Sequence, residues 1–322
     1  MRYIAPSLIV TISLVCNGCR STTTQDSDID FITRLGGAIT FDDNGNGRQI
    51  VGVDLAKTKS TDTTVKRLSA LSHLQTLNLE STFITDVSLA QLSNLEQLIS
   101  LNLGSTRISD TGLKSLLNMK KLESLDLHDT RITDIGLGEL LSATQLKQLN
   151  LSATGVTDTG LRGLPKFKKL QKLHLRNTRI SDAGLQWLAD LKELSALDLS
   201  GTNVKGDGMI SVGKLKQLTK LELNNLLIGD EIVKHLGELA GLEILWLYGA
   251  KKGDKAGDIL SPFFKLWMLN LGHTDIGDVG LAKLKTLMKL KYLFVDGTQV
   301  TKNGVSELQR ALPDCEIVFD SK

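Results

Sequence analysis

The most constraining feature of this sequence is a period of 24 residues that continues without insertion or deletion through most of the chain. The segments LQTLNLESTFITDVSLAQLSN (74–94), LISLNLGSTRISDTGLKSLLN (98–118) and LESLDLHDTRITDIGLGELLS (122–142) align position by position. Equivalent positions begin eleven repeats, at Ile50, Leu74, Leu98, Leu122, Leu146, Leu170, Leu194, Leu218, Leu242, Leu266 and Leu290. A twelfth segment, CEIVF (315–319), follows in register. The period predicts one stacked array, although a length of 322 residues suggests about two domains.

Each repeat is too small to fold alone. The repeat that begins at Leu98 has a strand-like pair of apolar residues and then a set at helical or near-helical spacing, namely Leu101 and Leu103, followed by Ile108, Leu113, Leu116 and Met119. Burying about seven such side chains contributes roughly 10–20 kcal/mol. Ordering about 24 backbone residues costs roughly 24–48 kcal/mol. Neighbouring repeats must therefore share a core.

The repeated pattern LxxLxLxxTxI[TS]DxGLxxL resembles the leucine-rich repeat family, in a 24-residue bacterial type that carries Thr where Asn or Cys is usual. The resemblance covers residues 50–319. It implies an α/β fold, a right-handed solenoid or horseshoe with a parallel sheet on the concave face and short helices on the convex face. We assign the eleven repeats to residues 50–313.

Several recurring positions are expected to be structural, because the same chemistry in every repeat does not define a single site. The Thr of each repeat, such as Thr130, is expected to tie the turns of stacked coils together. Pairs such as Thr133–Asp134 stand at helix starts, where their oxygens can accept hydrogen bonds from unpaired backbone N–H groups. The Gly that follows two residues later, such as Gly136, allows close approach between turns.

Both ends of the array are predicted to carry caps. Residues 28–49 indicate an N-terminal cap of a short helix and a hairpin, and residues 314–322 a C-terminal cap strand. The segment DDNGNG (42–47) matches the opening of an EF-hand calcium loop, but Val53 stands where the bidentate acid is required, so we interpret the segment as a hairpin turn. Cys315 is expected to be a small buried residue rather than a reactive thiol.

The N-terminus is predicted to be a targeting segment. Residues 1–19 combine Arg2 with the apolar stretch Ile4–Val15, which is too short to span a bilayer comfortably. The end of this segment, CNGC, resembles a bacterial lipobox in which Cys19 receives the lipid, although Cys16 stands where Leu is usual. Residues 20–27 are polar and predict a flexible tether. The expectation is a protein anchored through lipid to a membrane of the bacterial cell envelope, with a secreted or periplasmic protein as the alternative.

Signatures of catalysis and of nucleic-acid binding are absent from the sequence. The charge is nearly balanced, with 38 Lys+Arg against 36 Asp+Glu, and the five His residues are scattered. No HExxH, GxSxG or phosphate-loop motif is present, and no Cys/His spacing suits a metal ion. We therefore predict no enzymatic activity, no cofactor and no nucleic-acid partner.

Lysines recur in the short link before successive strands, at Lys120, Lys121, Lys168, Lys169, Lys192, Lys216, Lys265 and Lys289. They are expected to line one edge of the solenoid at about 4.8 Å per strand. Such a row attracts anionic polymers or lipid headgroups, or it is simply a solvated rim.

The outward face of the sheet changes character in the last three repeats. In each LxxLxLx unit the third, fifth and seventh residues point outward. The fifth position, which we call the central row, reads Asp54, Asn78, Asn102, Asp126, Asn150, His174, Asp198, Glu222, Trp246, Asn270 and Phe294. The last three repeats present a grid with three rows: Ile244, Met268 and Tyr292; Trp246, Asn270 and Phe294; Tyr248, Gly272 and Asp296. Gly272 is expected to leave a dent, and the half-exposed aromatic residues are expected to form a patch of roughly 300–400 Å².

This grid is the predicted site, because aromatic residues are common anchors in binding surfaces. The ligand-binding residues are predicted to be Ile244, Trp246, Tyr248, Met268, Asn270, Tyr292 and Phe294. We predict a non-catalytic cell-envelope protein that recognises a protein, peptide or glycan there. The patch has two alternative explanations, a cover from the same chain and a homodimer contact. The alternative function is a structural spacer or adhesive protein without a discrete ligand.

Overall fold

The computed structural model describes residues 24–42, 49–226, 235–250 and 260–320 of the chain. One sheet runs through this part of the chain and holds its strands in sequence order. The strands are β1 Ala38–Asp42, β2 Gln49–Asp54, β3 Thr76–Asn78, β4 Ser100–Asn102, β5 Ser124–Asp126, β6 Gln148–Asn150, β7 Lys172–His174, β8 Ala196–Asp198, β9 Lys220–Glu222, β10 Ile244–Trp246, β11 Met268–Asn270, β12 Tyr292–Phe294 and β13 Glu316–Val318.

The strands pair parallel from β2 to β13, with each residue opposite the residue 24 positions later, as in Leu149↔Leu173. Strand β1 alone is antiparallel to its neighbour, with Ile39 opposite Val53. The twelfth segment pairs in the predicted register, because Leu293 lies opposite Ile317. The α/β leucine-rich-repeat solenoid expected from the sequence is therefore confirmed.

Short helices connect the strands. The α-helices of the described residues are α1 Thr24–Arg34, α2 Asp62–Leu68, α3 Asp86–Leu92, α4 Asp110–Leu113, α5 Asp134–Glu139, α6 Asp158–Leu161, α7 Asp182–Leu185, α8 Met209–Val212, α9 Asp278–Lys283 and α10 Lys302–Ala311. Several repeats add a 3₁₀ turn, at Lys114–Asn118, Leu140–Ser142, Leu164–Lys166, Gln186–Leu188 and Leu284–Thr286. Within the described ranges, no helix is both long and apolar enough to cross a membrane.

The core is one continuous cluster of aliphatic side chains between the sheet and the helices. The residues predicted to point inward in the repeat of Leu98 are all buried, from Leu101 in the strand to Met119 before the next strand. This inside/outside pattern confirms that neighbouring repeats share a core.

The recurring Thr acts within its own repeat, which corrects the expectation of a ladder between coils. Its hydroxyl donates to the carbonyl oxygen three residues earlier, as Thr130 does to Leu127 at 2.6 Å. The same bond occurs at Thr58, Thr82, Thr106, Thr154, Thr178, Thr202, Thr274 and Thr298. The hydroxyl therefore closes the turn that ends each strand.

Side-chain hydrogen bonds between coils come instead from the Asp at the helix start. Asp134 Oδ1 accepts from the backbone N of Thr157 at 2.7 Å, and its Oδ2 accepts from the Thr157 hydroxyl at 2.6 Å. Equivalent pairs join Asp62 to Thr85, Asp86 to Ser109, Asp110 to Thr133, Asp158 to Ser181 and Asp278 to Thr301. We call this series the aspartate ladder. Except at Ser109, the Thr or Ser hydroxyl of these pairs also caps its own helix as expected, for example by accepting from Thr159 N.

Glycine is required beside the ladder. A Cβ built on Gly160 would clash with Asp134 Oδ1, and one on Gly136 would clash with Asp110 Oδ1. The prediction that these glycines permit close approach is therefore confirmed, and the group that approaches is the carboxylate of the preceding repeat.

The N-terminal cap begins earlier than the sequence suggests. Helix α1 starts at Thr24, so residues 24–27 do not belong to a flexible tether. Arg67 explains the ordering, because its guanidinium binds Asp28 at 2.9 Å and the Ser27 carbonyl at 2.8 Å while lying 4.2 Å from the Phe31 ring centre. Of the EF-hand-like segment, residues 43–47 lie outside the described residues, whereas Asp42 ends β1.

At the other end, β13 extends the sheet, and Cys315 is buried in the core as expected. Burial of the thiol, assisted by the charge of Glu316, raises the pKa of Cys315 to about 11.

Candidate functional site

Polar residues of the central row have a structural role in most repeats. Asn270 Oδ1, for example, accepts from the backbone N of Gly272, two residues later, at 2.9 Å. The same bond is made by Asp54, Asn78, Asn102, Asp126, Asn150 and Asp198. A short polar side chain in this row therefore stabilises the turn after the strand.

Trp246 cannot make that bond. The backbone N of Tyr248, which the bond would satisfy, instead donates to Asn224 Oδ1 of the preceding repeat at 3.0 Å. Asn224 is buried and also donates through Nδ2 to Ser200 Oγ at 3.2 Å. A residue of the neighbouring repeat thus supplies the missing acceptor. The turn keeps its hydrogen bond although an aromatic residue occupies the central row.

The sheet brings the predicted site residues together. Ile244, Met268 and Tyr292 lie opposite one another on β10, β11 and β12, and Trp246, Asn270 and Phe294 do so one pleat further along. All are partly exposed, while the intervening Leu245, Leu269 and Leu293 are buried. The register therefore forms the predicted grid, and its role in binding stays a prediction.

The aromatic side chains are less open than the sequence indicated. Of the four, Tyr292 is the most accessible, at only 38% exposure, and the other three are less exposed still. The indole Nε1 of Trp246 is buried and has no hydrogen-bond partner in the described part of the chain. The ammonium of Lys220 lies 5.4 Å from the centre of the Trp246 ring. One side of the indole is thus covered by a residue of the preceding strand.

The expected dent at Gly272 is filled. A Cβ on Gly272 would lie 2.8 Å from Asp296 Oδ1 and 3.0 Å from Tyr248 Cδ2, so both side chains close over the glycine. The Tyr248 ring also packs on His273, with ring centres 4.8 Å apart. The absence of a side chain at Gly272 therefore lets Tyr248 pack down against the backbone, and the prediction of an open dent is wrong.

The burial and ion pairing of the charged residues beside the grid were not predicted. Glu222, the central-row residue next to Trp246, is buried, and its Oε1 forms an ion pair with Lys220 Nζ at 2.7 Å. Asp198, its neighbour on β8, is buried as well. The alternating positions indicate that these carboxylates share a face with Trp246, but sequence alone does not show that Lys220 bridges the acid and the indole. Among the described residues, no cluster of His, Cys, Asp and Glu suits a metal ion.

A groove adjoins the grid at the edge where the strands begin. Its volume is about 780 Å³, and it is lined by Glu243, Lys265, Trp267, Met288, Lys289, Leu290, Lys291, Tyr292 and Asp314. Tyr292 belongs to both the grid and this groove, which we call the edge groove. The Trp267 and Tyr292 rings meet edge to face, with centres 6.1 Å apart. Sequence reasoning placed Lys265 and Lys289 at this edge but did not identify a cavity there.

The fold is shared with solved leucine-rich-repeat structures. An internalin, inlF, from Listeria monocytogenes is 21% identical, with 92% of this chain and 89% of that chain covered and a TM-score of 0.66. A TDR receptor is 16% identical over 84% of this chain, with a TM-score of 0.59. The structure of PEPR1-AtPEP1 is 17% identical over 88% of this chain, with a TM-score of 0.50. The alignments span 47% and 43% of those two longer chains.

No curated protein matches this chain in sequence. Family models do match, one described as a leucine-rich repeat region over residues 53–264 and one described as a leucine-rich repeat over residues 268–285. The two matches cover most of the 24-residue array, and the first alone spans more than half of the chain. This chain is a member of the leucine-rich repeat family.

Proposed function

We propose that this protein is a non-catalytic binding protein whose grid recognises a protein or peptide. The observation that carries the proposal is the presence of Trp246 and Phe294 in a row that is otherwise polar and in which seven residues stabilise the turn after the strand. Asn224 supplies the acceptor that Trp246 lacks. A row that only had to hold the solenoid together would have no need of aromatic residues, and Asn270 keeps the turn bond between the two aromatic positions.

The similar structures are consistent with this proposal. They are an internalin, a receptor, and PEPR1 together with AtPEP1, and their likeness to this chain is one of fold. Aromatic residues that combine a large apolar surface with low conformational entropy are frequent anchors in protein interfaces. A glycan ligand stays a prediction from the sequence.

The decisive variant is Trp246→Asn combined with Phe294→Asn, because both changes install a residue that the central row already accepts. His174→Asn is the matched control, since it makes the same replacement in the same row outside the grid. Purified proteins are used to capture partners from an extract of the producing cells. Capture by the wild type and by the control, with a loss of tenfold or more in the double variant, supports the proposal; equal capture by all three contradicts it.

The same variants test the alternatives. If the grid is a homodimer contact, sedimentation will show a dimer in the wild type and a monomer in the double variant. If the protein is a spacer, no partner will depend on the grid.

We also propose that Cys19 carries a lipid that anchors the protein in the cell envelope, with a secreted or periplasmic form as the alternative. Cys19 lies outside the described residues. The mature wild-type protein should partition into detergent, and Cys19→Ser should remain in the aqueous phase. An intact mass that shows an unmodified N-terminus beyond residue 19 would contradict the lipid anchor.

A further inference from the structure

The edge groove combines an aromatic wall with unpaired positive charge. Trp267 and Tyr292 form the wall through their edge-to-face contact, and Met288 stands at its rim with 73% of its surface exposed. Lys265, Lys289 and Lys291 are exposed around it. An exposed Met beside two aromatic rings provides an apolar cleft within reach of several cations.

The lysines of the edge groove differ from most of those on the same edge in earlier repeats, where Lys168 alone has no partner among the described residues. Lys121 and Lys169 donate to the side chains of Gln97 and Gln145. Lys192 donates to a backbone carbonyl oxygen, and the ammonium of Lys216 pairs with Glu238 and lowers the pKa of that carboxyl.

In contrast, the ammonium groups of Lys265, Lys289 and Lys291 have no hydrogen bond or ion pair with any described residue. Two acids, Glu243 and Asp314, also line the groove, and neither forms an ion pair with these lysines at 4.0 Å or less. The three unpaired cations outnumber the two acids, so an anionic group that enters the groove gains partners without displacing an existing ion pair.

We propose that the edge groove docks an acidic peptide segment that carries an aromatic or aliphatic side chain. The carboxylates of the segment pair with the three lysines, and its apolar side chain lies against Trp267 and Met288. The proposal rests on the proposed function, because it names the chemistry of the partner that the adjoining grid binds. Tyr292 joins the two surfaces, so one extended segment can contact both.

The distribution of charge favours a peptide over a membrane surface. A flat anionic bilayer would be matched by free lysines along the whole edge. Five of the six edge lysines of earlier repeats, all but Lys168, are instead bound to neighbouring groups. Here the free cations surround a cleft of about 780 Å³, which lies within the usual size range of ligand-binding clefts.

The test uses a fluorescently labelled random copolymer of glutamate and tyrosine as the acidic aromatic probe. Fluorescence anisotropy compares the wild type with Lys265→Glu/Lys289→Glu and with the matched control Lys121→Glu/Lys169→Glu. All four lysines are exposed and immediately precede the first Leu of a repeat, so both variants change the net charge equally. We expect at least tenfold weaker binding in the groove variant and less than twofold in the control, with affinity falling between about 0.05 M and about 0.5 M salt.

Three further probes make the assignment specific. Polyglutamate should bind more weakly than the copolymer, a lysine–tyrosine copolymer should not bind, and vesicles of phosphatidylglycerol should bind no better to the wild type than to the groove variant. The proposal is overturned if the glutamate–tyrosine copolymer does not bind, or if both charge variants lose binding equally. It is also overturned if the vesicles bind and lose binding in the groove variant alone, because the groove would then be a membrane contact.

The grid variant separates this inference from the proposed function. If Trp246→Asn/Phe294→Asn abolishes partner capture while the groove variant retains both partner and copolymer binding, the edge groove assignment fails and the proposed function stands. If partner capture is unaffected by the grid variant but copolymer binding depends on the groove lysines, the proposed function fails and the acidic segment docks at the edge alone.

Discussion

The aspartate ladder makes a quantitative prediction about how the repeats are held together. Asp134 contacts the next repeat through two hydrogen bonds, from the backbone N and the hydroxyl of Thr157. Replacing Asp134 with Ala removes both acceptors and leaves the Thr157 N–H, which is partly buried, without this partner. The change enlarges no side chain, so it tests the contact between repeats without introducing a clash.

Hydrogen bonds to a charged group contribute about 1.5–3 kcal/mol each. Because Asp134 is partly exposed and water replaces some of the lost contact, we expect Asp134→Ala to lower the free energy of unfolding by about 2–4 kcal/mol. Asp134→Asn keeps an acceptor for the backbone N and should lose about half as much. A solenoid is stabilised by contacts between neighbours, so the alanine variant should also unfold less cooperatively, with the repeats on either side separating.

The measurement is urea unfolding followed by circular dichroism at neutral pH. Asp190→Ala is the control, since Asp190 is exposed and its carboxylate forms no hydrogen bond or ion pair with a described residue. The control should change stability by less than about 0.5 kcal/mol. If Asp134→Ala and Asp190→Ala have the same unfolding midpoint and slope, the ladder does not stabilise the stack and the reasoning is wrong.

Further predictions concern the core, the strand face and two titrating groups. Leu149→Ala should cost about 2–5 kcal/mol in chemical denaturation because Leu149 is fully buried. Asn150→Ala should cost about 1 kcal/mol, because Asn150 accepts from Ser152 N and donates to Asp126; a loss as large as that of Leu149→Ala would contradict the inside/outside assignment. In a chain with Cys16→Ser and Cys19→Ser, Cys315 should resist a disulfide reagent at mildly alkaline pH until urea is added, and rapid labelling of the folded protein would refute its burial. Burial opposes the ionised form of Asp62, but hydrogen bonds from Ser88 and Thr85 together outweigh it and lower the pKa of Asp62 below its ordinary 3.8. The stability that Asp62 contributes should therefore be fully present above that value and be lost as pH falls through the lowered pKa, and an acid titration in which Asp62→Asn and wild type lose stability in parallel would contradict this.

The repeat predicts the architecture because burial allows only one arrangement of its leucines. With Leu at the fourth and sixth positions of each unit, a slip of one residue would expose the core of every strand. The period therefore determines which residues pair, and with it the composition of the grid. The boundary of α1 was not predictable in the same way, because its first turn is ordered by Arg67 from a helix about 40 residues away.

The rest of the structure was harder to predict because the sequence does not show which partner a side chain reaches. A Thr or Asp at a repeat position can bond within its repeat or across to the next, and both choices satisfy the same pattern. The aspartate ladder is fixed by the distance between adjacent coils, which the sequence does not contain. Likewise, the closing of Tyr248 over Gly272 depends on its contact with His273 in the next repeat. Such contacts are visible only in the structure of the stacked repeats.

The energetics at Trp246 bear on why the grid exists. A buried donor without a partner costs about 1–3 kcal/mol, and the Nε1 of Trp246 is such a donor. The position also forfeits the bond by which Asn270 holds its own turn, and the turn is kept only because Asn224 reaches across from the preceding repeat. Against these costs stand the apolar contacts of a half-buried indole and its approach to Lys220, which is worth about 0.5–1 kcal/mol at an exposed site. Stability alone therefore gives little reason to prefer Trp over Asn at this position. If Trp246→Asn melts close to the wild type, the fold does not need the tryptophan, and a role in binding explains its presence. If the variant melts at a much lower temperature, the indole is part of the core, and the result favours the spacer function.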